Sequence, residues 1–441
     1  MKTILILDNV NPTTTVYKPV TYTDFIDESD NVNLILLTNK NAPSPKDREK
    51  CLAIIELHNP LKNGMLELLA KRLHEKHPIH QIYTKQEEII LRAAHLRQLL
   101  GAKDGLYRQD ALLFRDKAAM KKFVSDKGYP VPAFSRVFSP VDIIAMRELH
   151  GFPLVVKSTL GAASAGIRVI KDDADMERYF ENEFYELLDT RGRLAEHSGD
   201  LIVEAFVKGR MYHVNGYARQ GKIVHVWPFA YVHTNLGFTL GKAYGNVSIP
   251  TTDKRHSQLL EATQKLLSIL PCPDNLIFHV ELFESETGFA LCEIAARRPG
   301  GSIALLIDLI EGGRGIFPEI EFRLNNGLQL REHGLKRLDS SKIVADLMIP
   351  KQIGTLIKLP DPQKCPVPHV ECTIFAKLGS SYSGFDIGQL NSCARLVIQQ
   401  GYAGVEETEN ALNKANEWFN SEVAYSDFDS QKNSSIGGSK L

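Results

Sequence analysis

Long apolar runs are missing from this 441-residue chain. None approaches the roughly 20 residues that a helix needs to cross a bilayer, which argues against a membrane-spanning protein. The opening MKTILILDNVNP turns polar too early for a secretory leader, so the expected location is the cytosol. A basic excess is missing too: 52 Lys and Arg stand against 53 Asp and Glu, with a formal net charge of −1 and no Lys/Arg stripe, which argues against a nucleic-acid partner. Six cysteines (Cys51, Cys272, Cys292, Cys365, Cys372 and Cys393) are scattered without a Cys-x-x-Cys pair, so neither a disulfide framework nor a zinc site is indicated. Neither a Walker A pattern nor a G-x-G-x-x-G after the first strand is present, which leaves P-loop and dinucleotide-binding folds without support. What is there is an ordinary globular balance, 43% hydrophobic and 24% charged, over a length that suggests about three domains.

Along the chain, KTILILD and Val32–Thr38 read as buried strands, with helical patterns after each, over residues 61–76 and over Glu87–Leu100, the latter closed by Gly101. This predicts an α/β unit. A further helix is expected over Asp116–Asp126, ending at Gly128, and the proline-rich GYPVPAFSRV after it must be extended. From Phe152 the pattern becomes strand, loop, strand (FPLVVKS, TLGAASAG, IRVIKD), then a helix from Asp173 to about Leu188, a polar segment expected to be mobile, and the strand LIVEA. Met211–Arg219 and Lys222–Val226 form a hairpin through Gln220-Gly221. Residues 235–250, with three glycines, are expected to be a surface loop. Helices follow over Ser257–Leu270 and Ile303–Ile310, a smaller β-rich region starts near Arg337, and the last helix covers Glu406–Phe419.

Chemistry concentrates in LIFHVELFESETGFALCEIAARRPGG, residues 276–301. Residues 277–283 and 289–294 alternate as strands, with turn chemistry at Ser285–Gly288. A loop centred on Thr287 sets Glu281 directly opposite Glu293, with Cβ atoms roughly 5 Å apart. A bound cation relieves that repulsion, and hard carboxylate oxygens suit Mg²⁺, whose remaining positions go to phosphate and water. The bland reading is a solvated hairpin face. Arg297 just beyond the pair favours phosphoryl or acyl-phosphate chemistry.

Three other features point the same way more weakly. Lys157 closes a strand and leads into the small-residue loop Ser158–Gly166, with Gly161 and Ser164, where backbone amides approach phosphate closely. A plain connection is the alternative. Lys117 sits at a helix start, mildly unfavourable with the dipole, which invites a ligand or is merely a surface lysine. Glu204 ends a strand, where the backbone of Ala205 and Val207 is a candidate adenine edge or a solvated end. His213, His225, His233 and His279 lack metal-ligand spacing and read as structural.

Taken in order, Asp116-Lys117, Phe152–Lys157, the Ser158–Gly166 loop, Leu201–Gly209 and Glu281…Glu293-Ile294-Ala295-Ala296-Arg297 resemble the ATP-grasp superfamily, specifically the carboxylate–amine ligases related to biotin carboxylase and bacterial L-amino-acid ligases, over about residues 1–420. The resemblance implies a mixed α/β and α+β architecture. It places a Rossmann-like domain at 1–115, the ATP-grasp domain at 116–335 with a lid at about 130–205, a small β-rich domain at 336–425, and a disordered tail at 426–441. It implies that Lys117 and Lys157 bind ATP phosphates under the 158–166 loop, and that Glu204, Ala205 and Val207 hold adenine. It also implies that Glu281 and Glu293 carry Mg²⁺, with Mn²⁺ as the alternative, and that Arg297 stabilises an acyl phosphate. Partners would be small carboxylates and amines, with a homodimer as the expected assembly. Two departures stand out: Ala295 replaces the Asn of the usual Glu-x-Asn, and Met211 replaces an acid that holds ribose. The rival function is nucleotide binding without turnover. The C-terminal Ser439-Lys440-Leu441 also matches a peroxisomal address.

Overall fold

The computed structural model describes residues 1–9, 20–40, 42–162, 166–184, 200–233, 237, 241–286, 288–312, 317–331, 342–383 and 392–427. The expectations for Ser164, residues 190–199, Thr287 and Ser439–Leu441 fall outside these residues. The chain divides into two compact units, Met1–Pro228 with Thr251–Ser340, and Phe229–Pro250 with Ser341–Leu441. No helix among the described residues is long and apolar enough to cross a membrane.

In the first unit, the apolar run after Met1 forms β1 (Lys2–Leu7), which pairs in parallel with β2 (Val32–Asn39) and β4 (Gln81–Tyr83), while β3 (Ala53–Leu57) extends the edge. Alternate residues of a strand face opposite sides. Leu5, Leu7, Ile35 and Leu37 therefore pack on Leu66, Ala70 and Leu96 of the helices Met65–Lys76 and Ile90–Leu100. Ile4, Ile6, Leu34 and Leu36 pack on the other side against Tyr22, Phe25, Tyr83 and Phe322. Phe322 belongs to the helix Phe317–Asn325, so a segment late in sequence closes the second face of the first sheet. Burial on both faces explains why β1 reads as a continuous apolar run.

A second sheet is antiparallel, in the order β5 (Phe134–Val137), β8 (Leu201–Ala205), β6 (Leu154–Ser158), β7 (Arg168–Ile170). Its core joins Leu154, Val156, Leu201 and Val203 to Ile143 and Met146 of the helix Pro140–His150 and Tyr179 of the helix Asp173–Asn182. The first of these helices escapes a pattern reading because several of its apolar side chains, including Val141 and Leu149, are exposed.

The third layer of this unit holds β9 (Met211–Arg219) beside the start of β10 (Lys222–His233), and the hairpin β12 (Asn275–Ser285) to β13 (Gly288–Ala295). Gln220 and Gly221 both take positive φ, 50° and 72°, the I′-type turn that suits the twist of a two-residue hairpin. In the β12–β13 hairpin, Glu281 pairs with Glu293 as expected, but by a different route from a loop centred on Thr287. Near the turn Ser285 pairs with Gly288 and Leu282 with Leu291; the register then shifts between Leu282 and Glu281, so Cys292 is the extra residue of a bulge. Without that bulge Glu281 would face Cys292.

The second unit carries the end of β10, β11 (Tyr244–Ser248), β14 (Ala345–Pro350), β18 (Ser392–Ile398) and β16 (Val370–Ile374), all antiparallel, under the helix Val405–Glu422. Here the surface-loop reading of 235–250 is overturned for its second half: β11 is buried at every position. Gly245 is there because a Cβ would stand 2.4 Å from the Asp346 carbonyl, so glycine marks a close strand approach rather than flexibility.

Phe322 is fully buried, with ring centroids 5.1–5.7 Å from Tyr22, Phe25 and Tyr83. Phe322→Ala is expected to lower unfolding free energy by about 3–5 kcal/mol, read as a lower midpoint in urea denaturation. A change below about 1 kcal/mol would show that this helix does not hold the second face.

Candidate functional site

Glu281 on β12 faces His213 on β9 and Glu293 on β13, and His279 faces Asn215 and Ala295. Directly paired residues share a face, so the three strands present a polar patch of His213, Asn215, His279, Glu281 and Glu293. The other expected site residues are carried to it by separate elements. Lys117 opens the helix Lys117–Ser125, whose N-cap Asp116 accepts from the amides of Ala118 and Ala119 and is paired with Arg136 at 2.8 Å. The Lys117 amide donates to the Thr159 carbonyl at 3.0 Å, fixing the helix start against the end of β6. From there its ammonium reaches Glu293 Oε2 at 2.8 Å and the Gly161 carbonyl at 2.6 Å.

Lys157 on β6 and Glu204 on β8 are neighbouring buried residues that meet at 3.0 Å. A second lysine, Lys121, completes this group: it is fully buried, lies 3.4 Å from the other Glu204 oxygen, and donates to the Leu291 carbonyl at 2.9 Å. Glu204 thus projects into a cage of two ammonium groups instead of toward solvent. The Ala205 amide donates to Ala133, so Ala205 has no free N–H for a base edge; Val207 lies just beyond the strand and is half-buried. In the loop, Ser158 Oγ accepts from the Leu160 amide, Gly161 donates to the Ser158 carbonyl, and Gly166 takes φ +69°, open to glycine and strained for other residues.

Arg297 is held by Glu87, with Nε at 2.7 Å from Oε2 and Nη2 on the same oxygen, and it donates to the Arg298 carbonyl. Arg115 stands 3.7 Å from the other Glu87 oxygen. The ion-pair partner of Arg297 thus comes from the segment after the first sheet.

Burial alone would raise these carboxyls; their cationic neighbours outweigh it. Lys117 and Lys157 hold Glu293 at about 2, Lys121 and Lys157 hold Glu204 below its ordinary range, and Arg297 and Arg115 do the same for Glu87. Burial pulls Lys157 down, and Glu204 more than reverses it; for Lys121 burial wins and its value falls. Burial also pushes the Cys292 thiol up to about 12, so this bulge residue is no nucleophile.

As a metal-binding set, Glu281 and Glu293 bring two carboxylates to one face, which fits an ion such as Mg²⁺ that takes one or two carboxylates and completes its shell with phosphate and water. Among the described residues no group of three or more His, Cys, Asp or Glu is gathered closely enough to hold an ion unaided. Pattern reading missed Lys121, Glu87 and Asn215, and took His213 and His279 as structural. Lys121 was visible in principle, four residues after Lys117 and so on the same helix face; His279 likewise shares a strand face with Glu281.

Residues 150–305 match the ATP-grasp domain. The L-arginine-specific L-amino acid ligase of Bacillus subtilis is 26% identical over 249 residues, 56% of this chain and 57% of that protein, so the match spans little more than half of the relative. The crystal structure of an L-amino acid ligase from Bacillus licheniformis superposes with a TM-score of 0.66 at 15% identity, over 97% of this chain and 99% of that one. The biotin carboxylase domain dimer of the Hydrogenobacter thermophilus 2-oxoglutarate carboxylase, determined with MgADP, ADP and bicarbonate, gives 0.57 at 14% identity, over 96% and 91%.

Because Glu293 lies at about 2 when folded and near 4.5 otherwise, its contribution is present above pH 4.5 and disappears as pH falls toward 2. Urea titrations between pH 2 and 6 should show the wild type losing stability over that window and Glu293→Gln losing less. Parallel profiles would mean that Glu293 is not held by Lys117 in solution.

Proposed function

The chain belongs to the ATP-grasp superfamily, and from that premise we propose that it is an ATP-dependent carboxylate–amine ligase with an amino acid among its substrates. The observation that carries this reading is the convergence of acids and cations from positions 117 to 297. Lys117 lies on Glu293, Lys157 on Glu204, and Glu281 opposite Glu293. Retention of every charged member together supports turnover over binding alone.

In the proposed reaction a substrate carboxylate oxygen attacks the γ-phosphorus of ATP and ADP leaves. The amine nitrogen then attacks the acyl carbon and phosphate leaves, giving an amide. Lys117 and Lys157 supply positive charge to the phosphates, the role lysine plays in phosphoryl transfer. Glu281 and Glu293 would hold Mg²⁺, which when bound neutralises charge on the transferred phosphoryl group. Arg297, kept in place by Glu87 and the Arg298 carbonyl, meets the oxyanion that develops as the amine attacks. Glu204 keeps Lys157 charged at the foot of the phosphate loop, and the backbone around Val207 would take the adenine edge. The L-amino acid ligase relatives support amino acids as substrates.

The test is a phosphate-release screen over pairs of amino acids and simple amines with ATP and Mg²⁺, followed by mass spectrometry of products. ADP formation that requires both an acid and an amine is expected. Glu293→Gln should lower that turnover by roughly two orders of magnitude or more, and Lys157→Ala should weaken ATP binding as well. Arg297→Ala should retain ATP binding and lose turnover, because it acts on charge present only in the transition state. A protein that binds ATP but forms no ADP with any pair would overturn the ligase reading.

A further inference from the structure

His279 is buried beside Glu281, and its hydrogen bonds fix which nitrogen carries the proton. Asn215 places one amide atom 3.2 Å from the Trp227 carbonyl and 3.0 Å from His213 Nδ1. A carbonyl only accepts, so that amide atom is the NH₂ group and the other is the oxygen. The oxygen lies 2.7 Å from His279 Nδ1. Since an amide oxygen only accepts, His279 Nδ1 carries a hydrogen, which leaves Nε2 as the ring nitrogen able to offer a lone pair to a metal.

Nε2 lies 3.5 Å from Glu281 Oε1. A ring nitrogen and a carboxylate oxygen at this separation can serve as an adjacent pair of donors to a divalent cation. Neighbouring ligands of an octahedral ion with bonds of about 2.1 Å stand about 3 Å apart. Across the strand pair, the residue opposite His279 is Ala295. The Nδ1 hydrogen bond to an oxygen is also the arrangement that orients metal-bound histidines and raises their basicity.

We propose that His279, through Nε2, is a nitrogen ligand to the divalent ion that Glu281 takes up with the nucleotide. The proposal rests on the ATP-dependent reading above and adds to its carboxylate pair a donor of a different kind. Imidazole nitrogen suits transition ions better than Mg²⁺, so the site is expected to favour Mn²⁺ more than an all-oxygen site would. His279 Nε2 and Glu281 Oε1 lie together while Glu293 holds Lys117.

The experiment is pulsed electron paramagnetic resonance of the full-length protein with Mn²⁺ and ADP. Nitrogen modulation from a directly bound imidazole is expected for the wild type, and its pattern should change in protein labelled with ¹⁵N-histidine. His279→Gln should abolish it and weaken Mn²⁺ binding at saturating ADP on the order of tenfold or more. The labelled wild type keeps the test intact if that variant fails to fold. Mn²⁺ and ADP bound together without nitrogen coupling would overturn this proposal and leave the ligase reading standing. Nitrogen coupling that survives His279→Gln would also overturn it, assigning the donor to His213. No Mn²⁺ bound with ADP would overturn both.

Discussion

Buried charge without its opposite is the state this protein has to avoid, and the arrangement of the first unit follows from how it does so. Removing a lone ammonium or carboxylate from water costs several kcal/mol even after relaxation. Lys121 has no exposure at all, and Lys117, Lys157 and Glu204 have little. Each therefore lies on a partner from another element: Lys117 ties its helix to β13, Lys157 ties β6 to β8, and Lys121 ties the same helix to both β8 and the Leu291 carbonyl. The pairs act as constraints on position. A shift of this helix by one residue would take both Lys117 and Lys121 off their partners, so the geometry of the site and the packing of its elements are specified together.

How much of this is legible in sequence depends on whether the signal is local. The strands β1 and β2, the I′ hairpin at Gln220-Gly221 and the helix Ile303–Ile310 are encoded by neighbouring residues, and they fold where pattern places them. The pairing of Glu281 with Glu293 is also legible, but through a compensation. The turn is half a residue off the symmetric centre and the bulge at Cys292 restores the match. Alternation of apolar side chains does not reveal a bulge, since Cys292 is as buried as its neighbours.

What was not legible is set by partners distant in the chain. Glu87 opens a short helical turn and looks like an ordinary N-terminal acid, yet it is the anchor of Arg297, 210 residues later. Glu204 looks like a strand end facing solvent; only the antiparallel placement of β8 between β5 and β6 shows that it points inward at two lysines. Gly245 looks like loop chemistry until β14 is known to approach it. For Glu204 and Gly245 the residue type was correctly noticed and its surroundings were not, because charge and glycine report a need without naming what meets it.

The same pairing bears on how a nucleotide would be received on the proposed reading. Lys117 and Lys157 are not loose surface charges awaiting an anion; each is already neutralised at 2.8 and 3.0 Å. Phosphate oxygens reaching Lys117 compete with Glu293, and a divalent ion reaching Glu293 competes with Lys117. Neither exchange is favourable alone, because each leaves one buried charge without its partner. Taken together they are balanced, with the lysine passing to phosphate as the carboxylate passes to metal. Lys157 differs, since Glu204 is also held by Lys121 and stays compensated if Lys157 turns to a ligand. The second lysine thus gives the phosphate loop a cation that can change partners, while the Lys117–Glu293 pair favours metal and nucleotide arriving as one complex.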